Sequence, residues 1–230
     1  MAGPEPLAVQ LVTLGAALLG AVVGGAASFI GNSMAAAAER RRASRRAGTL
    51  LMIKLGRIYS SLAAAYRQVV AGIKEAELAG VRGQLHAKMV ATTGGMQIII
   101  NDSELATVIE TGEVDYLTRL IGIDEKHNSV IGAMQHYATR RTEFLDRLPA
   151  VMEGRAGQIQ LDSEVSRLIA SRTIELEMMA TQILSDLRSY ACEAGVLVEE
   201  LGPILRRHLG DKAIFLFKAT AELPEMPAPG

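Results

Sequence analysis

One cysteine, Cys192, and no tryptophan stand in this chain of 230 residues. A lone thiol excludes an intramolecular disulfide and agrees with a reducing compartment. Aromatic side chains are scarce, four Phe and five Tyr, so any core must be built from Leu, Ile, Val, Met and Ala. Catalytic signatures are missing as well. The chain has no Gly-x-x-x-x-Gly-Lys-Ser/Thr phosphate loop, no His-Glu-x-x-His, no Cys-x-x-Cys and no Gly-x-Ser-x-Gly. Gly94-Gly95 alone is too short to cradle a phosphate, and Glu199-Glu200 and Glu175/Glu177 read as solvated helix faces. The expectation is a non-enzymatic protein with no cofactor.

Charge is also absent where it is most telling. No charged residue lies between Glu5 and Glu39, and Leu7 to Ile30 is an uncharged, mostly apolar run. A helix needs roughly 20 such residues to cross a hydrocarbon core. Arg40, Arg41, Arg42, Arg45 and Arg46 come next, while MAGPEP before the run has no Lys or Arg. Read by the positive-inside bias, these arginines are topology determinants. They predict a single-pass protein of a bacterial inner membrane, with its N-terminus outward and its C-terminal domain cytoplasmic. A cleaved leader fits less well, because it calls for a positive start and a shorter apolar stretch.

Within the run, Ala16, Gly20, Gly24 and Ser28 recur every four residues. Small residues at that spacing let two helices approach closely, so this face is a candidate for helix association.

Past the arginines the balance reverses. Residues 1–57 hold 7 of the 24 basic and 2 of the 25 acidic side chains, leaving 17 and 23 in residues 58–230, a net charge of −6. An acidic domain argues against nucleic acid as partner. The partners expected instead are membrane lipid at the basic collar, and further copies of the chain or an unidentified protein.

Helical periodicity dominates the rest. Leu51, Leu55, Ile58, Leu62, Ala65, Val69, Ile73 and Ala76 fall on one face, and Gly80 and Gly83 end the pattern. One long helix is predicted to run to about Leu78. Met96–Ile100 is a short apolar run that reads slightly better as helix than strand. Asn101-Asp102-Ser103 offers caps for a short helix reaching Glu110.

A heptad seam then runs through Leu117, Leu120, Asp124, His127, Ile131, Met134, Ala138, Arg141, Leu145 and Leu148. A second seam, from Val165 to Leu201, starts after Asp162 or Ser163 and should end or kink at Gly202-Pro203. Two seams joined by a loop predict a long antiparallel hairpin. The fold class expected is all-α: one transmembrane helix followed by a cytoplasmic helical bundle. The divisions are 1–6 outward, 7–31 transmembrane, 32–57 basic juxtamembrane helix, 58–218 cytoplasmic domain and 219–230 disordered tail.

Asp124 and His127 are adjacent in the seam and form its polar pair. If the hairpin turns near residue 156, Asp124 faces Arg188 and His127 faces Ser185. A polar layer that fixes register is the first reading. Metal binding by Asp124 and His127 is the alternative, and it needs more ligands from facing helices. A pore or lysis protein acting through the apolar helix is the other alternative. The leading expectation is a membrane-anchored helical interaction or scaffold protein that associates with itself.

Overall fold

The computed structural model describes the backbone of residues 7–89, 95–147, 163–210, 214, 216–219 and 223–225, and side chains from 28 onward except those at 147, 163–166 and 168. The described residues are all-helical, with no strand. Five helices succeed one another in order: α1 (Leu7–Leu78), α2 (Leu85–Lys88), α3 (Asp102–Ile109), α4 (Val114–Arg147) and α5 (Ser163–Leu209). The chain divides into two compact units, Met1–Arg46 and Ala47–Gly230.

In the first unit, α1 is helical from Leu7 and every described side chain from Ser28 to Ala43 is exposed. Ser33 returns its hydroxyl to the Ile30 carbonyl at 3.0 Å. All five arginines expected as topology determinants are exposed. Among the described residues, no helix is long and apolar enough to cross a membrane. The placement as a single-pass inner-membrane protein, N-terminus out and C-terminal domain cytoplasmic, is corrected on that finding. From Ser28 onward α1 carries Asn32, Ser33, Glu39 and five arginines, so its described side chains offer no uncharged apolar stretch of the roughly 20 residues that a span needs. The side chains of Ala16, Gly20 and Gly24 lie outside the described residues, and Ser28 is exposed.

The second unit is a helical bundle. Its first element is α1 from Ala47 onward. Leu51, Leu55, Ile58, Leu62, Val69 and Ile73 are buried there, on the face that the spacing indicated. Leu51, Met52 and Leu55, read from sequence as juxtamembrane, belong to the core. Helix α1 stops at Leu78 because Gly80 takes φ +81, a left-handed turn that suits glycine.

Helices α4 and α5 form the expected antiparallel pair. Arg119 reaches Glu200 at 2.9 Å, Lys126 reaches Glu193 at 2.7 Å and Arg140 reaches Glu175 at 3.6 Å, one partner number rising as the other falls. The buried face of α4 is wider than one seam. Leu120, His127, Ile131 and Met134 are buried, and so are Tyr116, Ile123, Val130 and Tyr137 a step away. That second stripe equips α4 to pack on two neighbours at once.

Two sequence expectations change. Met96–Ile100 is not helical; residues 95–100 carry no regular structure. Helix α5 does not end at Gly202-Pro203 but continues to Leu209 with Pro203 inside it. Pro203 removes one backbone donor, while Leu201 and Leu205 on either side stay buried. Leu205 packs where a Cβ on Gly48 would meet it at 3.2 Å. Within the segment read as a disordered tail, Leu223 packs against the core and Pro224 accepts a hydrogen bond from Tyr66.

Leu62 is fully buried at the centre of α1's core face. Leu62→Ala is expected to cost about 2–5 kcal/mol of unfolding free energy, read by urea denaturation, whereas exposed Ile174→Ala stays within about 0.5 kcal/mol.

Candidate functional site

An extended backbone cannot lie against a helical bundle unless something replaces its water. Segment 95–101 does so, and side chains from three helices receive it. Asn128 on α4 reads Ile98 twice: its Oδ1 accepts the Ile98 N–H at 3.2 Å and its Nδ2 donates to the Ile98 carbonyl at 3.0 Å. Lys54 on α1 donates to the Ile99 carbonyl at 2.8 Å. Asp124 Oδ2 stands 3.5 Å from the Ile100 nitrogen. Glu104 on α3 accepts the Asn101 N–H at 2.8 Å and closes the first turn of its own helix.

Charges on this clamp are paired. Glu104 is only 2% exposed, and Lys54 Nζ sits 2.8 Å from its carboxylate. Asp124 is less well served. Its Oδ1 is buried with no partner. Burial pushes its carboxyl above the usual range, and the Ile100 N–H and the Lys54 charge only partly offset that.

His127 is fully buried beneath the segment. Its Nδ1 lies 3.3 Å from Asn128 Oδ1 and its Nε2 3.4 Å from Ser61 Oγ on α1. The amide oxygen is an acceptor only, so Nδ1 carries the proton and Nε2 accepts the Ser61 hydroxyl. A neutral imidazole satisfies both partners. Burial accordingly holds the His127 pKa below its ordinary value, with the Asn128 contact pulling the other way.

Serine, histidine and an orienting amide in line have the outline of a nucleophile and its base. A Cβ on Gly95 would lie 2.9 Å from Ser61 Oγ, so the backbone of segment 95–101 covers the hydroxyl. Ser61 Oγ and His127 Nε2 thus form part of a polar layer packed against Gly95.

A smaller clamp repeats the idea. Glu177 on α5 accepts the Leu85 and His86 N–H groups at 3.0 and 2.9 Å, and His86 Nδ1 lies 3.0 Å from the same carboxylate. Burial raises the Glu177 pKa, but these bonds and the neighbouring imidazole outweigh it and hold the carboxyl below its ordinary range. Tyr137 donates to the His86 carbonyl at 3.2 Å.

The sequence-predicted residues are therefore redistributed. Asp124 and His127 belong to one layer, but Arg188 does not join it, and no ion pair links it to Asp124 among the described residues. With Lys126 opposite Glu193, Asp124 stands level with residue 195, seven positions beyond Arg188. His127 meets Ser61 on α1 rather than Ser185 on α5. Arg172 pairs with Glu175 at 2.5 Å. Among the described residues, no group of three His, Cys, Asp or Glu could hold a metal ion. Lys54, Ser61, Glu104 and Asn128 were missed. Their signal was present in part: Asp124, His127 and Asn128 form a polar patch on α4 broader than a single register-setting pair.

Neither a protein-family model, nor a curated protein, nor a solved structure matches this chain.

The titration of His127 has a definite sign. Its folded pKa lies below the unfolded value of about 6.5, so the unfolded chain binds more protons in that interval and stability rises with pH up to it. The urea midpoint of the wild type is expected to climb with pH toward 6.5 by more than that of His127→Gln, which lacks this group. The variant also loses about 1–3 kcal/mol at neutral pH, because buried polar partners are left poorly satisfied.

Proposed function

We propose that this protein is a non-enzymatic helical interaction module that associates with itself through its N-terminal helix. One observation carries the reading: Phe29, Ile30 and Met34 are 76%, 56% and 68% exposed on the continuous helix α1. Ile30 and Met34 are four residues apart and so share a face. They continue the uncharged run that begins at Leu7. Large apolar side chains gain about 1.5–3 kcal/mol each on full burial. A second copy of the same helix offers the same surface in return, as a two-fold contact requires.

The small face at Ala16, Gly20, Gly24 and Ser28 would let two such helices pack closely. The exposed arginines at 40–46 would repel their equivalents in a parallel pair, which favours an antiparallel or staggered arrangement. The second unit supports the non-enzymatic part of the reading. Glu104, Asn128, Lys54 and Glu177 there hold the chain's own backbone, at segment 95–101 and at α2.

Light scattering on the full-length protein tests this. The wild type is expected to be an oligomer whose mass falls on dilution. Ile30→Glu combined with Met34→Glu should weaken association by about 100-fold or more, equivalent to roughly 2.8 kcal/mol. Circular dichroism checks that the helix survives. A wild type that is monomeric at every concentration, or an oligomer indifferent to the double substitution, contradicts the reading.

A further inference from the structure

Helix α1 is unbroken from Ile30 to Arg46. The side chains from Ser28 to Ala43, and those of Arg45 and Arg46, are exposed. A regular helix turns about 100° per residue, so these positions can be sorted by face.

Ile30, Met34, Ala38, Arg41 and Arg45 share one face, within an arc of about 80°. Arg42 borders that arc, and Arg46 lies beside Arg42. Glu39 is the one acid among residues 28–46. It lies about 140° from the centre of the arc, away from the arginines that share the face. The charge of residues 28–46 is +4, from five arginines and Glu39.

Along the axis the face has two ends. Ile30 and Met34, 56% and 68% exposed, form the apolar end. Arg41 begins the basic end about 10 Å beyond Met34. An arginine can lay its aliphatic stem along apolar surface while its guanidinium reaches polar groups. It also meets a phosphate with two parallel hydrogen bonds.

We propose that this face of α1 is a docking surface for an anionic lipid bilayer, along which the helix lies without crossing. Charge complementarity and the apolar end together select the occupant. A nucleic acid would satisfy the arginines and leave Ile30 and Met34 in water. A bilayer interface meets both, with lipid phosphates at the guanidinium groups and the acyl boundary at the apolar side chains. Among the described residues no helix is long and apolar enough to cross a membrane, and lying in the interface requires none. The docking does not rest on the self-association proposed above. Ile30 and Met34 take part in both, so a copy seated on lipid does not offer this face to a second copy.

Flotation of the full-length protein with vesicles tests the proposal. One set is phosphatidylcholine alone, and the other is equal parts of phosphatidylcholine and phosphatidylserine. Binding is expected to the mixed vesicles, to weaken at least several-fold on phosphatidylcholine alone, and to fall as salt rises. Arg41→Gln combined with Arg42→Gln should weaken it about 30-fold, the effect of two charges near the surface. Without vesicles, the light-scattering mass of that variant should be no lower than the wild type's, so lost lipid binding is not lost self-association. Equal binding to both vesicle types overturns the proposal, as does binding indifferent to the arginine pair. Arginine-dependent binding to a DNA duplex with none to the mixed vesicles also overturns it and assigns the face to nucleic acid.

Discussion

Five backbone groups between Ile98 and Asn101 take their hydrogen bonds from side chains: the Ile98 N–H and carbonyl, the Ile99 carbonyl, and the Ile100 and Asn101 N–H groups. Ile100 is buried, and leaving its N–H unpaired would cost about 1–3 kcal/mol, whereas Ile99 and Asn101 are exposed residues. Lys54, Glu104, Asp124 and Asn128 therefore act together, and they come from α1, α3 and α4. The clamp ties the long helix α1 to α3 and α4 beside their apolar core. His127 and Ser61 complete it underneath, with the imidazole kept neutral by burial. Glu177 does the same for α2 with one carboxylate.

Much of the helical framework was legible in the residues, because a 3.6-residue period is a local signal. The end of α1 at Leu78 was signalled by Gly80, and α3, α4 and α5 begin where the caps and seams place them. Three features were hidden for separate reasons. Segment 95–101 is an apolar run whose conformation is decided by partners 24 to 45 positions away in sequence. The hairpin register depends on a connection that periodicity does not measure, and an assumed centre at residue 156 displaced Asp124 by seven positions from its actual level. Pro203 was overruled by the burial of Leu201 and Leu205 on either side of it. The apolar N-terminal run looked like a membrane span by length and charge, yet among the described residues no helix qualifies as one.

Polar residues on an otherwise apolar seam invite a catalytic or metal-binding interpretation. Here His127 is answered by amide and hydroxyl groups of the same chain, and Asp124 by the Ile100 N–H at one oxygen while the other has no partner. The proposed self-association instead uses a surface, the exposed apolar side chains of α1 before Arg46. Association by that route would be concentration-dependent and reversible.

Amide hydrogen exchange at Ile98, Ile100 and Asn101, compared between the wild type and Asn128→Leu, tests the central claim most directly. The account predicts slow exchange in the wild type. In the variant these amides should exchange about tenfold faster or more, a loss of roughly 1.4 kcal/mol, while α5 amides around Leu187 change far less. Equal rates in the two proteins would contradict the clamp, as would rates in the wild type as fast as those of a free peptide.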